Sequence, residues 1–195
     1  MGLRRRISKW ILEDLWGWEV VGDYPHHLKK SIVLAAPHTS NWDFPIGILL
    51  RNAYGFQINF VGKASLFRGP LGPIMRWLEG VPVERGKGGF VTQMIEQFKK
   101  RDRLVLNIAP EGTREKVDHF RSGFYHIALG AGVPLLLLSF DWANKRLTWS
   151  DPIYVTGDQE REMREIEAYF RGVQGYHAEY SLDPLPPAPT DSNDV

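Results

Sequence analysis

Ile32-Val33-Leu34-Ala35-Ala36-Pro37-His38-Thr39-Ser40-Asn41-Trp42-Asp43 joins a short apolar run to a polar loop. The run has the length and composition of a buried strand. Pro37 ends it, because proline brings no backbone donor and restricts the residue before it. Ile46, Leu49, Leu50 and Ala53 then recur at the spacing of one helical face, and Gly55 is a natural stop. A strand therefore delivers His38 into a loop, and Asp43 follows five residues later at a helix start. On a regular helix, five residues leave two side chains roughly 140° apart. The pair meets only with His38 in the loop and Asp43 in or just before the first turn. Pro45 favours that register, since a helix tolerates proline in its first turn and not beyond. A carboxylate there suits the helix dipole. Held against the imidazole, it would fix the tautomer and steady the imidazolium formed when His38 takes a proton. A plainer description also fits: Ser40-x-x-Asp43 is a capping-box pattern that serves only the helix start.

The pattern of strand and then loop recurs. Phe56, Ile58 and Phe60 alternate with Gln57 and Asn59, as in a half-buried strand. Gly80-Val81-Pro82-Val83-Glu84-Arg85-Gly86 reads as a short strand ending in an arginine and a Gly-rich turn. Leu104 to Ala109 is a buried strand that runs into Pro110-Glu111-Gly112-Thr113-Arg114. Val133 to Phe140 is another, and Arg146 to Trp149 and Ile153 to Val155 are shorter ones. Helical periodicity covers Phe90 to Phe98, Gly123 to Gly130, and Glu160 to Arg171 with Met163, Ile166 and Phe170 inward. Strands and helices alternate from residue 31 onward, so the class is α/β, and ligands belong at the strand ends.

At 195 residues the chain is large enough to bury a proper core. It has no cysteine, which excludes disulfides and thiolate metal sites and fits a reducing compartment. No apolar run approaches the roughly 18 to 20 residues of a spanning helix, and secretory signal features are absent. The net charge of +1 conceals an asymmetry: residues 31–150 carry 15 Lys+Arg against 9 Asp+Glu, and residues 151–195 carry 3 against 10. The central body is thus the part suited to an anionic ligand. Arg4-Arg5-Arg6 and Lys9 precede the aromatic-rich stretch from Trp10 to Trp18, and Ile7, Ile11, Leu15 and Trp18 share a helical face flanked by Trp10. Such an amphipathic helix is fitted to lie on a membrane surface, or else to pack on the domain. The chain divides into an amphipathic N-terminal segment (1–22), a body (23–182) and a Pro-rich tail (183–195) of disordered composition.

Four ordered motifs carry a resemblance. His38-x-x-x-x-Asp43, Gly80-Val81-Pro82-Val83-Glu84-Arg85, Glu111-Gly112-Thr113-Arg114 and Val133-Pro134-Leu135-Leu136 resemble those of the glycerolipid acyltransferase family. That family includes the 1-acylglycerol-3-phosphate acyltransferases. The linking Lys63-x-x-Leu66 and Arg121-Ser122-Gly123 extend the likeness over roughly residues 30 to 155. The resemblance implies one domain built on a mixed, mostly parallel sheet wrapped by helices. It also implies acyl transfer from acyl-CoA or acyl carrier protein to a hydroxyl of a lysophospholipid, with 1-acylglycerol-3-phosphate as first choice. His38 would be the general base and Asp43 its orienting partner. Lys63, Arg85, Glu111, Gly112, Thr113 and Arg114 would bind substrate, the arginines holding the acceptor's phosphate. No metal and no bound cofactor are expected, since a thioester carbonyl is already electrophilic. Partners would be the thioester donor, the lysophospholipid and a membrane surface, not nucleic acid. The expected location is cytoplasmic, at the inner face of a membrane.

Departures from the family pattern leave the acceptor open. Pro37 stands where Asn is frequent, Ala109 replaces the usual Phe, and the fourth motif lacks its second proline. Other lysophospholipids or a lyso-amino-acid lipid are alternative acceptors, and a non-catalytic lipid-binding protein is the rival from another class. A metal-dependent hydrolase using His38, Asp43, Glu111 and His119 lacks any supporting His-x-x-x-His or Asp-x-His spacing. His26, His27, His119, His126 and His177 read as surface or packing residues.

Overall fold

The structure, a computed structural model, describes residues 2–70, 72–77, 79–83 and 89–183, and for Lys63 the backbone. The strands are β1 (Glu19–Val21), β2 (Lys30–Ala36), β3 (Asn59–Lys63), β4 (Val81–Val83), β5 (Leu104–Ile108), β6 (Leu135–Asp141) and β7 (Arg146–Trp149). They form one sheet in the order β1-β7-β6-β2-β5-β3-β4. From β6 to β4 every pairing is parallel; β7 runs antiparallel to β6, and β1 runs parallel to β7. Ile32, Val33 and Leu34 of the central β2 have no exposed surface, as a strand covered on both faces requires. Burying each such side chain contributes about 1.5–3 kcal/mol.

Alternation along the strands divides the core in two. Ile32, Leu34, Leu106, Leu135 and Leu137 meet α5 (Phe90–Lys100), α6 (Gly123–Ala131) and α7 (Gln159–Phe170) through Met94, Phe98, Phe124, Ile166 and Phe170. Val33, Val105, Leu136 and Leu138 meet α2 (Asp43–Tyr54) and the N-terminal segment through Ile46, Leu50, Leu12 and Trp18. The four-leucine run Leu135–Leu138 therefore serves both faces, two residues each. Because five neighbouring strands run in one direction, β2, β5, β3, β4 and β6 all end at the same edge of the sheet.

α2 begins at Asp43 with Pro45 in its first turn, and Gly55 closes it in the left-handed conformation (φ 72°), as the spacing predicts. Three expectations shift. The strand expected over 56–60 lies three residues later, because Phe56 leaves the sheet to stack on Tyr24 (ring centroids 4.4 Å apart). Ile153 makes only an isolated bridge with Leu135 rather than a strand. α3 (Ala64–Arg68) and α4 (Gly72–Trp77) fold from the Gly- and Pro-punctuated segment to which no element was assigned.

The N-terminal segment departs most. α1 (Leu3–Lys9) continues into a π-helical turn over Trp10–Leu15, and β1 then joins the sheet. The wider turn changes the phase of the faces. Leu3, Ile7, Trp10 and Leu15 point outward, while Leu12 and Trp18 are buried. The expected stripe Ile7-Ile11-Leu15-Trp18 is thus split, and Trp18 packs edge-on against Trp142 (4.9 Å, 86°). Part of the basic run is also committed internally: Arg5 donates to the carbonyls of Ala53 and Tyr54 at the end of α2 (2.8 and 3.0 Å). Among the described residues no helix is long and apolar enough to cross a membrane. In the tail, Asp183 pairs with Lys116 (2.9 Å), and residues 184–195 lie outside the described residues.

Candidate active site

His38 leaves the end of β2 and turns back so that its Nδ1 lies 2.9 Å from Asp43 Oδ2. The same carboxylate oxygen accepts the backbone N–H of Ser40 (3.1 Å), and Ser40 Oγ accepts the N–H of Trp42 (3.2 Å). The capping pattern and the His–Asp pair are therefore one construction, with the helix-start carboxylate serving both. The other oxygen, Oδ1, accepts the indole N–H of Trp142 (2.8 Å). Asp43 is 6% exposed, and the Ser40 N–H and the Trp142 indole N–H supply the donors that a buried carboxyl group needs. In the tautomer whose Nδ1 donates to Asp43, Nε2 keeps its lone pair. The His38 side chain is one-third exposed (33%), enough for a substrate to reach that nitrogen.

Glu111 arrives from the end of β5, the strand beside β2. Its Oε1 accepts the backbone N–H of His38 (3.0 Å), fixing the loop from beneath. Its Oε2 is buried with no hydrogen-bond partner among the described residues. Burial pushes the Glu111 carboxyl up to about 7, against the hydrogen bonds that pull it down. Glu111, expected to help bind substrate, is thus buried and tied to the backbone of the His38 loop.

The rest of the third motif forms the loop after Glu111. Gly112 takes φ 66°, and a side chain there would meet Arg121 Cδ at 2.9 Å, so glycine lets Arg121 lie across the loop. Thr113 Oγ1 accepts the N–H of Glu115 (3.3 Å), and Arg114 is exposed. Lys63 ends β3 at the same sheet edge; Arg85 lies outside the described residues. Of the residues read as functional, the structure thus brings His38, Asp43 and Glu111 into contact. His119 hydrogen-bonds Glu167 of α7 (3.1 Å), not the His38 loop.

A cavity of about 340 Å³ opens beside the pair, between α2 and the sheet. Among the described residues, His38, Asp43 and Arg51 are the ionisable members of its wall; Phe44, Ile48, Phe56, Phe60, Phe90, Ile108 and Leu138 make it overwhelmingly apolar. Gly47 faces open space there, with nothing within 4 Å of where a Cβ would stand. Outside the loop, the C-terminal segment acts as a strap. His177 N–H donates to Thr39 Oγ1 (3.0 Å), Gln174 O accepts the backbone N–H of Trp142 (2.8 Å), and Tyr176 packs on the Trp142 ring.

Trp142, the cavity wall and the strap were missed by sequence reasoning. For Trp142 a signal existed: it lies just past the end of β6, at the same edge that supplies His38 and Glu111. The pairing itself, across 99 residues, has no local trace.

The fold resembles the solved 1-acyl-sn-glycerophosphate (LPA) acyltransferase PlsC from Thermotoga maritima, with a TM-score of 0.56 at 23% identity over 86% of this chain and 79% of that one. Among curated relatives, the 1-acyl-sn-glycerol-3-phosphate acyltransferase of Haemophilus influenzae is 26% identical over 188 residues, covering 84% of this chain and 76% of the relative. The Escherichia coli enzyme of that name is 26% identical over 163 residues, covering 73% of this chain; the chain spans 65% of its length. The acyltransferase family model matches residues 18–140, from the buried Trp18 through His38, Asp43 and Glu111 to Phe140 near the end of β6, and the chain belongs to that family of acyl-transferring enzymes.

Proposed function

We propose that the chain transfers a fatty acyl group from the thioester of acyl-CoA or acyl carrier protein to a hydroxyl of a lysophospholipid, with 1-acylglycerol-3-phosphate as the first acceptor. The observation that carries this reading is the His38–Asp43 pair at the mouth of an apolar cavity. His38 Nε2 takes the proton of the acceptor hydroxyl as its oxygen attacks the thioester carbonyl carbon. Asp43, oriented by Ser40 and Trp142, steadies the imidazolium. The tetrahedral intermediate then collapses, the C–S bond breaks, and the thiolate takes the proton back from Nε2. The acyl chain occupies the cavity under α2. The backbone N–H of His38 is already given to Glu111, so the oxyanion must draw its donors from elsewhere. Arg114, exposed on the loop after Glu111, and Arg85 are assigned to the acceptor's phosphate, which a guanidinium holds bidentately.

The exposed Leu3, Ile7, Trp10 and Leu15 support contact with a membrane surface, where a lysolipid is presented. A lyso-amino-acid lipid remains the alternative acceptor. The test is a panel of lysolipids against acyl thioesters of several lengths, with wild type and His38→Ala. Turnover that falls by about 10²- to 10⁴-fold in a folded His38→Ala protein is expected. Near-normal turnover would refute the mechanism, and a wild type inert on every pair would favour a lipid-binding role.

A further inference from the structure

A second cavity, also about 340 Å³, lies at the far end of α2, where its last turn meets the N-terminal helix. Arg4, Arg5, Arg51, Asn52 and Gln57 line it together with one acid, Glu79. Two of the arginines are occupied. Arg4 donates to Asn52 Oδ1, and Arg5 caps α2 through the carbonyls of Ala53 and Tyr54. Glu79 Oε1 is engaged by Gln57 Nε2 (3.4 Å). Arg51 is different. It is 8% exposed, and among the described residues its guanidinium has no hydrogen-bond or ion-pair partner.

The residue is nearly buried, yet its guanidinium is reached through the cavities it lines, and a cation confined to such a cleft favours an anion that completes it. Its planar fork matches the oxygens of a phosphoryl group, and the neighbouring charges leave the cavity cationic. The surroundings identify the carrier. Arg4 and Arg5 of its wall belong to the same N-terminal helix that exposes Leu3, Ile7 and Trp10, so a helix laid on a membrane by those side chains brings the cavity close to the headgroups. We propose that this cavity binds the phosphate of an anionic membrane lipid, with Arg51 as its principal ligand. The inference rests on the membrane-surface reading above. The site is separate from the reacting centre, since eight residues of α2 place Arg51 about 12 Å along the helix from Asp43. Arg51 also forms part of the main cavity's wall, so a phosphate that holds its guanidinium keeps that charge off the apolar channel.

The test is flotation of the full chain with phosphatidylcholine vesicles, with and without phosphatidylglycerol, and thermal melting with inorganic phosphate. Wild type should prefer the anionic vesicles. Arg51→Gln should weaken binding to them about tenfold, the worth of one bidentate charged contact, while binding to the neutral vesicles is unchanged. Arg51→Lys should recover only part of the loss. Arg51→Met, which removes the charge at similar volume, should lose the same preference and serves if the Gln variant does not fold. Binding to anionic vesicles that is the same in wild type and the folded Arg51 variants overturns the proposal while leaving membrane contact intact. Binding to neither vesicle overturns both. Inorganic phosphate that stabilises wild type in an Arg51-dependent way, without any Arg51-dependent vesicle preference, makes the site one for free phosphate and overturns the lipid assignment.

Discussion

Trp142→Phe tests whether the proposed catalytic pair depends on a residue outside every family motif. The substitution keeps a ring against Trp18 and Tyr176 and removes one N–H. Asp43 Oδ1 then loses the indole donor at 2.8 Å, in a carboxylate only 6% exposed. A hydrogen bond to a charged group contributes about 1.5–3 kcal/mol. If that full amount is lost from the orientation of Asp43 in the transition state, kcat falls about tenfold to a hundredfold. KM should stay nearly constant, since Trp142 is not part of the cavity wall. Steady-state kinetics with one acyl thioester and one lysolipid gives the split. A double-mutant cycle with Asp43→Asn separates the hydrogen bond from packing. In the Asp43→Asn background the oxygen is uncharged, so removing the indole should cost roughly 1–2 kcal/mol less. A folded Trp142→Phe enzyme with more than half of wild-type kcat, or additive effects in the cycle, would refute the reasoning.

Glu111→Gln keeps an acceptor for the His38 N–H and removes a carboxyl raised from 4.5 to about 7 by burial. The folded state holds that proton more tightly than the unfolded one, so wild-type stability declines as pH rises from about 4.5 to 7. The loss is of order 3 kcal/mol and is constant above that window. Urea titrations across that range should show the decline in wild type and a flatter profile in the Gln variant; parallel profiles would place the raised value in doubt. Gly47→Leu should fold at least as well as wild type, because glycine in a helix costs about 0.5–1 kcal/mol. Its side chain enters the cavity, so the preferred acyl donor should shorten, and an unchanged chain-length profile would remove the cavity from acyl binding. Replacing Leu3, Ile7 and Trp10 with Ser should release the protein from vesicles while sparing turnover of a short-chain, water-soluble acceptor, as judged by flotation and assay. Deleting residues 1–18 is a poorer test, since it strips Leu12 and Trp18 from the core.

Local rules carry far in this chain. The apolar run before Pro37, the periodicity of Ile46, Leu50 and Ala53, and the stop at Gly55 fix β2 and α2 to within two residues, because strand and helix follow from side-chain alternation and backbone sterics. Pro45 sets the helix register, and with it the meeting of His38 and Asp43, two residues close enough in the chain to need no long-range information. The order of the motifs along the chain identifies the family. What tertiary structure alone decided are the contacts that close over long sequence separations. Trp142 reaches Asp43, Glu111 reaches the N–H of His38, and His177 straps Thr39 because the parallel order of β6, β2 and β5 brings three strand ends to one edge. The N-terminal helix shows the same limit from the other side. Its amphipathic pattern is plain, yet which side faces out depends on a π turn fitted to α2 and on Trp142 being there to bury Trp18. Periodicity records that a helix has two faces; only the surfaces packed against it determine which one water sees.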